Sequence, residues 1–198
     1  VQIFRAQYNK AQLDEERGQV LLGKKSFAAG LLRLIQDCSM PVVAPEGGRI
    51  HIVRVLVNPG RDWQEAINAA GPDTGKDWAV RKVGDQYPPQ AGEHEVREII
   101  LVNFGKTIPD AQYAIDWAAR YGLPPEGPRG IFAIGEHKPE LHRELGVDVM
   151  AVISTIPCSF EGGRHLPSVW WSFAERRARL PWCDYEFGGD SWFVFFRE

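Results

Sequence analysis

Apolar, mostly β-branched residues fill positions 50–58 (IHIVRVLVN) around the polar His51, Arg54 and Asn58, which predicts a strand. Residues 61–70 (RDWQEAINAA) then change period. Trp63, Ala66, Ile67 and Ala70 share one face of a short helix, and Gly71-Pro72 ends it. Residues 77–83 (DWAVRKV) predict a short exposed strand closed by Gly84-Asp85.

The same order then returns. Residues 98–103 (EIILVN) predict a strand, residues 110–121 a helix with Tyr113, Ala114, Trp117, Ala118 and Tyr121 on one face, and residues 130–134 (GIFAI) a strand closed by Gly135-Glu136. Leu-Val-Asn-x-Gly occurs in both copies, at Leu56–Gly60 and Leu101–Gly105. The expected core over 49–136 is therefore a duplicated βαββαβ unit of ferredoxin-like type, in an α+β chain. A three-layer α/β mixed sheet is the alternative. Residues 1–48 precede this core as a lead-in, with a short strand over 1–8 and a helix over 27–38.

After residue 137 the pattern predicts a short helix over 139–145 and strands over 148–155, 167–173 and 191–197. Of the 22 aromatic residues, 10 lie in 166–198, which suggests an antiparallel aromatic sheet added to the core. The whole chain, 1–198, reads as one domain.

Composition narrows the function classes. A 44% hydrophobic, 25% charged chain of 198 residues has globular balance, and a net charge of -3 without a basic arm argues against a duplex-DNA binder. The three cysteines, Cys38, Cys158 and Cys183, form no C-x-x-C pair, so neither a disulfide framework nor a zinc ribbon is expected and the compartment reads as cytoplasmic. No apolar run is long enough to span a bilayer, and no signal peptide is evident; no membrane partner is expected.

Several constellations invite chemistry. Gly71–Lys76 falls one residue short of a phosphate loop and follows a helix. His137 and His142 have five-residue spacing, unsuited to a helical metal pair, so neither metal nor cofactor is expected. Cys158 and His165 flank a turn containing Glu161; a thiol, a base and an orienting carboxylate would suit a hydrolase or transferase. Arg176, Arg177 and Arg179 lie beside Trp170, Trp171 and Trp182, where guanidinium forks and indoles would suit single-stranded nucleic acid. Asn58 and Asn103 end strands, and Asp85 and Glu136 end their partners; in a parallel sheet all four would meet at the carboxyl edge.

The combination of Trp63–Gly71, Val83-Gly84-Asp85-x-Tyr87, Phe132–Glu136 and the terminal Trp192-Phe193-x-Phe195 resembles small bacterial proteins of uncharacterised function. The resemblance implies a bacterial cytoplasmic origin and no activity. The leading expectation is a small soluble binding or protein-interaction module without catalysis. Its aromatic end, including Trp170, Trp171 and Trp192, would contact a protein partner or a second copy.

Overall fold

The computed structural model describes residues 42–197. The strand expected over 1–8, the helix over 27–38 and Cys38 lie outside the described residues. The chain is mixed α+β, built on a six-stranded mixed sheet of order β1-β2-β8-β3-β6-β7. These strands are β1 (Arg49–Val57), β2 (Glu95–Asn103), β3 (Met150–Ile153), β6 (Ser168–Trp171), β7 (Arg176–Arg179) and β8 (Ser191–Phe196). A separate hairpin pairs β4 (Cys158–Phe160) with β5 (Gly163–His165).

β1 pairs antiparallel with β2, β2 antiparallel with β8, and β8 parallel with β3. β1, β8 and β3 therefore run in one direction and end at one edge, where β2 begins. Alternation along the central strands feeds two cores. Ile99, Leu101, Trp192 and Val194 point to one face; Ile100, Val102, Phe193 and Phe195 point to the other.

Helices cover both faces. α1 (Trp63–Ala70) and α3 (Pro128–His137) pack on the first; α2 (Ala111–Ala119) packs on the second. The short α4 (Leu141–Glu144) leads toward β3. Asp62 and Asp110 cap the first two helices. Asp62 accepts from the backbone N–H of Gln64 and Glu65, and Asp110 from that of Tyr113.

Two expected strands are helical, and the ferredoxin-like duplication is not what the described residues form. Trp78–Gln86 is a 310 helix. Its buried Val80 and Val83 are three residues apart, which suits that helix, and the Trp63 indole N–H donates to Val80 O at 2.9 Å. The run over 130–134 lies inside α3, which begins at Pro128 after the cap residue Gly127. Gly130 through Gly135 are all buried, so this stretch has no polar position to reveal its period. A Cβ on Gly135 would stand 2.6 Å from Ala70 O, so glycine sets how closely α1 and α3 approach.

The aromatic C-terminal strands form no separate antiparallel sheet. β8 inserts at the centre of the main sheet, parallel to β3, because its aromatics fill both cores. β6 and β7 complete the far edge through antiparallel pairing. Among the described residues, no helix is long and apolar enough to cross a membrane.

Candidate functional site at the carboxyl edge of the sheet

The edge where β1, β3 and β8 end carries two cavities. One, of about 530 Å³, lies beside the end of β1 between α1 and α3; Asn58, Arg61, Arg129 and Glu136 are among its lining residues. The other, of about 570 Å³, is bounded by Pro59 after β1, Ile156 after β3, Phe196 of β8 and Arg97 of β2, with Tyr87, Glu126 and Arg129 on its walls. Both volumes fall in the range of about 300–1,000 Å³ usual for small-molecule sites. Arg129 lines both.

Local structure explains how these side chains are held. Glu126 directly precedes α3, and its backbone is tied to the segment after β3. Its N–H donates to Thr155 Oγ1 at 3.0 Å, and its carbonyl accepts from Thr155 N–H at 3.1 Å and Ser154 Oγ at 3.0 Å. The Glu126 side chain is 2% exposed. Oε1 accepts from Arg97 Nη1 at 3.1 Å and from Gly127 N–H at 3.0 Å. Oε2 accepts no hydrogen bond among the described residues. A Cβ on Gly130 would stand 2.6 Å from Oε1, so the missing side chain there makes room for the carboxyl. Burial raises the Glu126 pKa above the ordinary carboxyl value; Arg97 and the Gly127 N–H oppose the shift, while Glu95 adds to it.

Arg97 also pairs with Glu95, and its guanidinium lies 5.6 Å from the Phe196 ring centroid. Arg61 pairs with Glu136 across the first cavity. Arg129 has no carboxylate within ion-pair distance among the described residues. It donates instead to two backbone carbonyls, Arg61 O and, at 3.2 Å, Tyr87 O. A guanidinium carries five N–H groups, so most of its donor capacity is unspent on these contacts. Burial pulls its pKa below the ordinary arginine value, against the attraction of Asp62. Tyr87 closes the wall: its ring stacks on Trp63 at 5.2 Å and its hydroxyl donates to Ile156 O at 2.8 Å.

The structure also places each sequence-derived candidate. Cys158 and His165 do face each other as paired residues of the β4–β5 hairpin. The Cys158 thiol, however, donates to the His165 carbonyl at 3.6 Å, and burial raises its pKa. His165 Nδ1 lies 3.1 Å from Leu180 O, its Nε2 is buried without a partner among the described residues, and the ring contacts Phe160 and Trp182. Glu161 sits exposed at the turn with φ 47° and does not orient the imidazole.

Of the three indoles expected at the surface, Trp171 and Trp192 are each 1% exposed. Both point inward to the first core, where apolar contact outweighs exposure. Trp170 is half-buried beneath Arg177 and Arg179, at 4.8 and 5.6 Å from its ring. Asp77 lies 3.3 Å from Arg177 Nε and 3.7 Å from Arg179 Nε, the first without hydrogen-bond alignment. Arg176 turns to the opposite face, where its Nε donates to Ala70 O at 2.9 Å. The three arginines thus do not share one face with exposed indoles, because strand alternation divides them. Phe173 and Tyr185 are the most open rings at this end, at 70% and 63% exposure, with Trp182 at 39%.

Asn58 and Glu136 line one cavity, but Glu136 and Asp85 sit in helices and end no strand, and Asn103 is buried at the opposite edge, where it donates to Gly189 O and Ser191 O. Glu126, Arg129 and Arg97 were not singled out from sequence. The available signal was Glu126 and Arg129 flanking Gly127-Pro128, a helix start with charge on both sides. Among the described residues, no group of three or more His, Cys, Asp or Glu side chains is arranged to hold a metal ion. No family model matches the chain, and comparison with curated proteins and with solved structures yields no significant match.

Proposed function

We propose that this protein is a small-molecule binding module whose ligand carries an anionic group, seated at the carboxyl edge of the sheet against Arg129. One observation carries the reading: Arg129 lines both cavities, is partly desolvated, and has no carboxylate partner among the described residues. A guanidinium in that state recovers most from a carboxylate or phosphate that takes two of its N–H groups together. The position supports the reading as well, since open sheets receive ligands beyond the carboxyl ends of parallel-running strands.

The test is thermal unfolding and calorimetry of the full chain with short carboxylates and inorganic phosphate. A ligand at a hundredfold excess over its Kd stabilises the folded state by about 2.7 kcal/mol. R129Q should abolish that gain, while R129K, which keeps the charge without the fork, should retain a fraction of it. If no anion in the panel shifts the unmodified protein, the proposal fails. Self-association through the aromatic end is the second reading, supported by the exposure of Phe173 and Tyr185.

A further inference from the structure

Charge pairing around the larger cavity is uneven in both signs. Arg97 is shared between two carboxylates, Glu95 and Glu126, so one negative charge there is left over. Arg129, on the same cavity wall, contributes a positive charge that meets two backbone carbonyls and no carboxylate within ion-pair distance among the described residues. The carboxyl of Glu126 has one oxygen held by Arg97 and the Gly127 N–H, and the other accepts no hydrogen bond among the described residues. Besides the charged groups the lining is mostly apolar, with Pro59, Pro125, Ile156 and Phe196 beside the polar Gln86 and Gln90.

We infer that this cavity takes a zwitterion, a free amino acid or short peptide with an apolar side chain, its carboxylate on Arg129 and its ammonium on Glu126 Oε2. The inference rests on the anion-anchoring role proposed for Arg129 and adds the second pole and the side chain. An ammonium brings donors to an acceptor that lacks them, and it supplies the cation that Glu126 shares with Glu95 on Arg97. A ligand with the anion alone would leave that carboxyl sharing Arg97 with Glu95 and without a cation of its own. The apolar wall selects against a charged side chain and favours a branched or aromatic one.

The test compares three probes of one shape on the unmodified full chain by calorimetry: L-leucine, with both poles; 4-methylpentanoate, with the carboxylate alone; and isopentylamine, with the ammonium alone. Leucine should bind at least tenfold more tightly than 4-methylpentanoate, and isopentylamine should bind more weakly than either. In E126Q, whose amide oxygen can still accept from Gly127 N–H, the preference for leucine should vanish while 4-methylpentanoate binding persists. Equal affinity for leucine and 4-methylpentanoate overturns this inference and leaves the anion reading standing. Failure of both to bind overturns the two together. Persistence of the leucine preference in E126Q also overturns it, by placing the ammonium elsewhere.

Discussion

Replacing Arg97 by methionine tests the electrostatic core of the site. Methionine keeps an unbranched apolar stem beside the Phe196 ring but deletes the guanidinium that holds Glu126 Oε1 at 3.1 Å. The carboxyl, with its side chain 2% exposed, would keep only the Gly127 N–H. Breaking one partner of a fully buried pair costs about 3–5 kcal/mol. Arg97 is 23% exposed, so part of that cost is already screened, and about 2–3 kcal/mol is expected at pH 8.

Protonation limits the loss, because the folded state can neutralise Glu126 instead of burying a charge. Its folded pKa already stands above the unfolded value, and removing Arg97 raises it further. The folded state then holds the proton to higher pH than the unfolded chain does. This contribution to stability is fully present below the unfolded carboxyl pKa and is lost as pH rises through the folded one. R97M should therefore cost about 1 kcal/mol or less near pH 5 and most near pH 8.

Urea unfolding of wild type, R97M, E126Q and the double variant at both pH values reads this directly. With a slope near 2 kcal/mol/M, the R97M midpoint should fall by roughly 1 M at pH 8. The coupling energy between the two positions should be about 1–2 kcal/mol at pH 8 and shrink at pH 5. A pH-independent cost for R97M, with coupling below about 0.5 kcal/mol, would refute the claim that Glu126 is a desolvated charge held by Arg97.

Two further outcomes separate the proposal from its rivals. Burial pushes the Cys183 thiol up to about 11 and raises that of Cys158, so at pH 7 only about one Cys183 in ten thousand is thiolate; both cysteines should resist iodoacetamide in the native protein and label in urea, and rapid native labelling of Cys158 mapped by mass spectrometry would restore the thiol-chemistry reading. Light scattering of the full chain should report a monomer, since stable interfaces bury upward of about 1,000 Å² and two of the three indoles expected at the aromatic end are interior; a dimer disrupted by F173S would favour self-association instead.

Elements were legible in the sequence where one face alone is buried. β1 alternates buried Val53, Val55 and Val57 with outward Ile52, Arg54 and Leu56. α1 shows Trp63, Ala66, Ile67 and Ala70 at helical spacing and buries all four. Legibility failed where burial is total or the helix is of another kind. α3 is enclosed along Gly130–Gly135, so its sequence has lost the polar positions that mark a period, and β-branched Ile131 and Ile134 suggested a strand. The 310 segment has a three-residue spacing, which over seven residues imitates alternation at Trp78 and Val80. Each error moved a helix into the expected sheet and thereby produced a repeat.

The site was less legible than the fold because its charges are distant in sequence and become partners only through topology. Arg97 and Glu126 are 29 residues apart, and Arg129 reaches Tyr87 across 42. A carboxyl-edge site seemed to require a parallel sheet, yet a mixed sheet supplies one whenever enough strands end together. β1, β8 and β3 do so although β1 and β8 are separated by the antiparallel β2, which starts at the same edge and brings Arg97 with it. The antiparallel strand that would be expected to spoil such an edge thus delivers its central cation. By the same logic the abundant C-terminal aromatics point away from a surface role: β8 is a central strand, and a strand covered on both faces must place large apolar side chains on each. Trp192, Phe193 and Phe195 hold the sheet together from within, while the charged groups at its end come from β2, as Arg97, and from α3 and the segment before it, as Arg129 and Glu126.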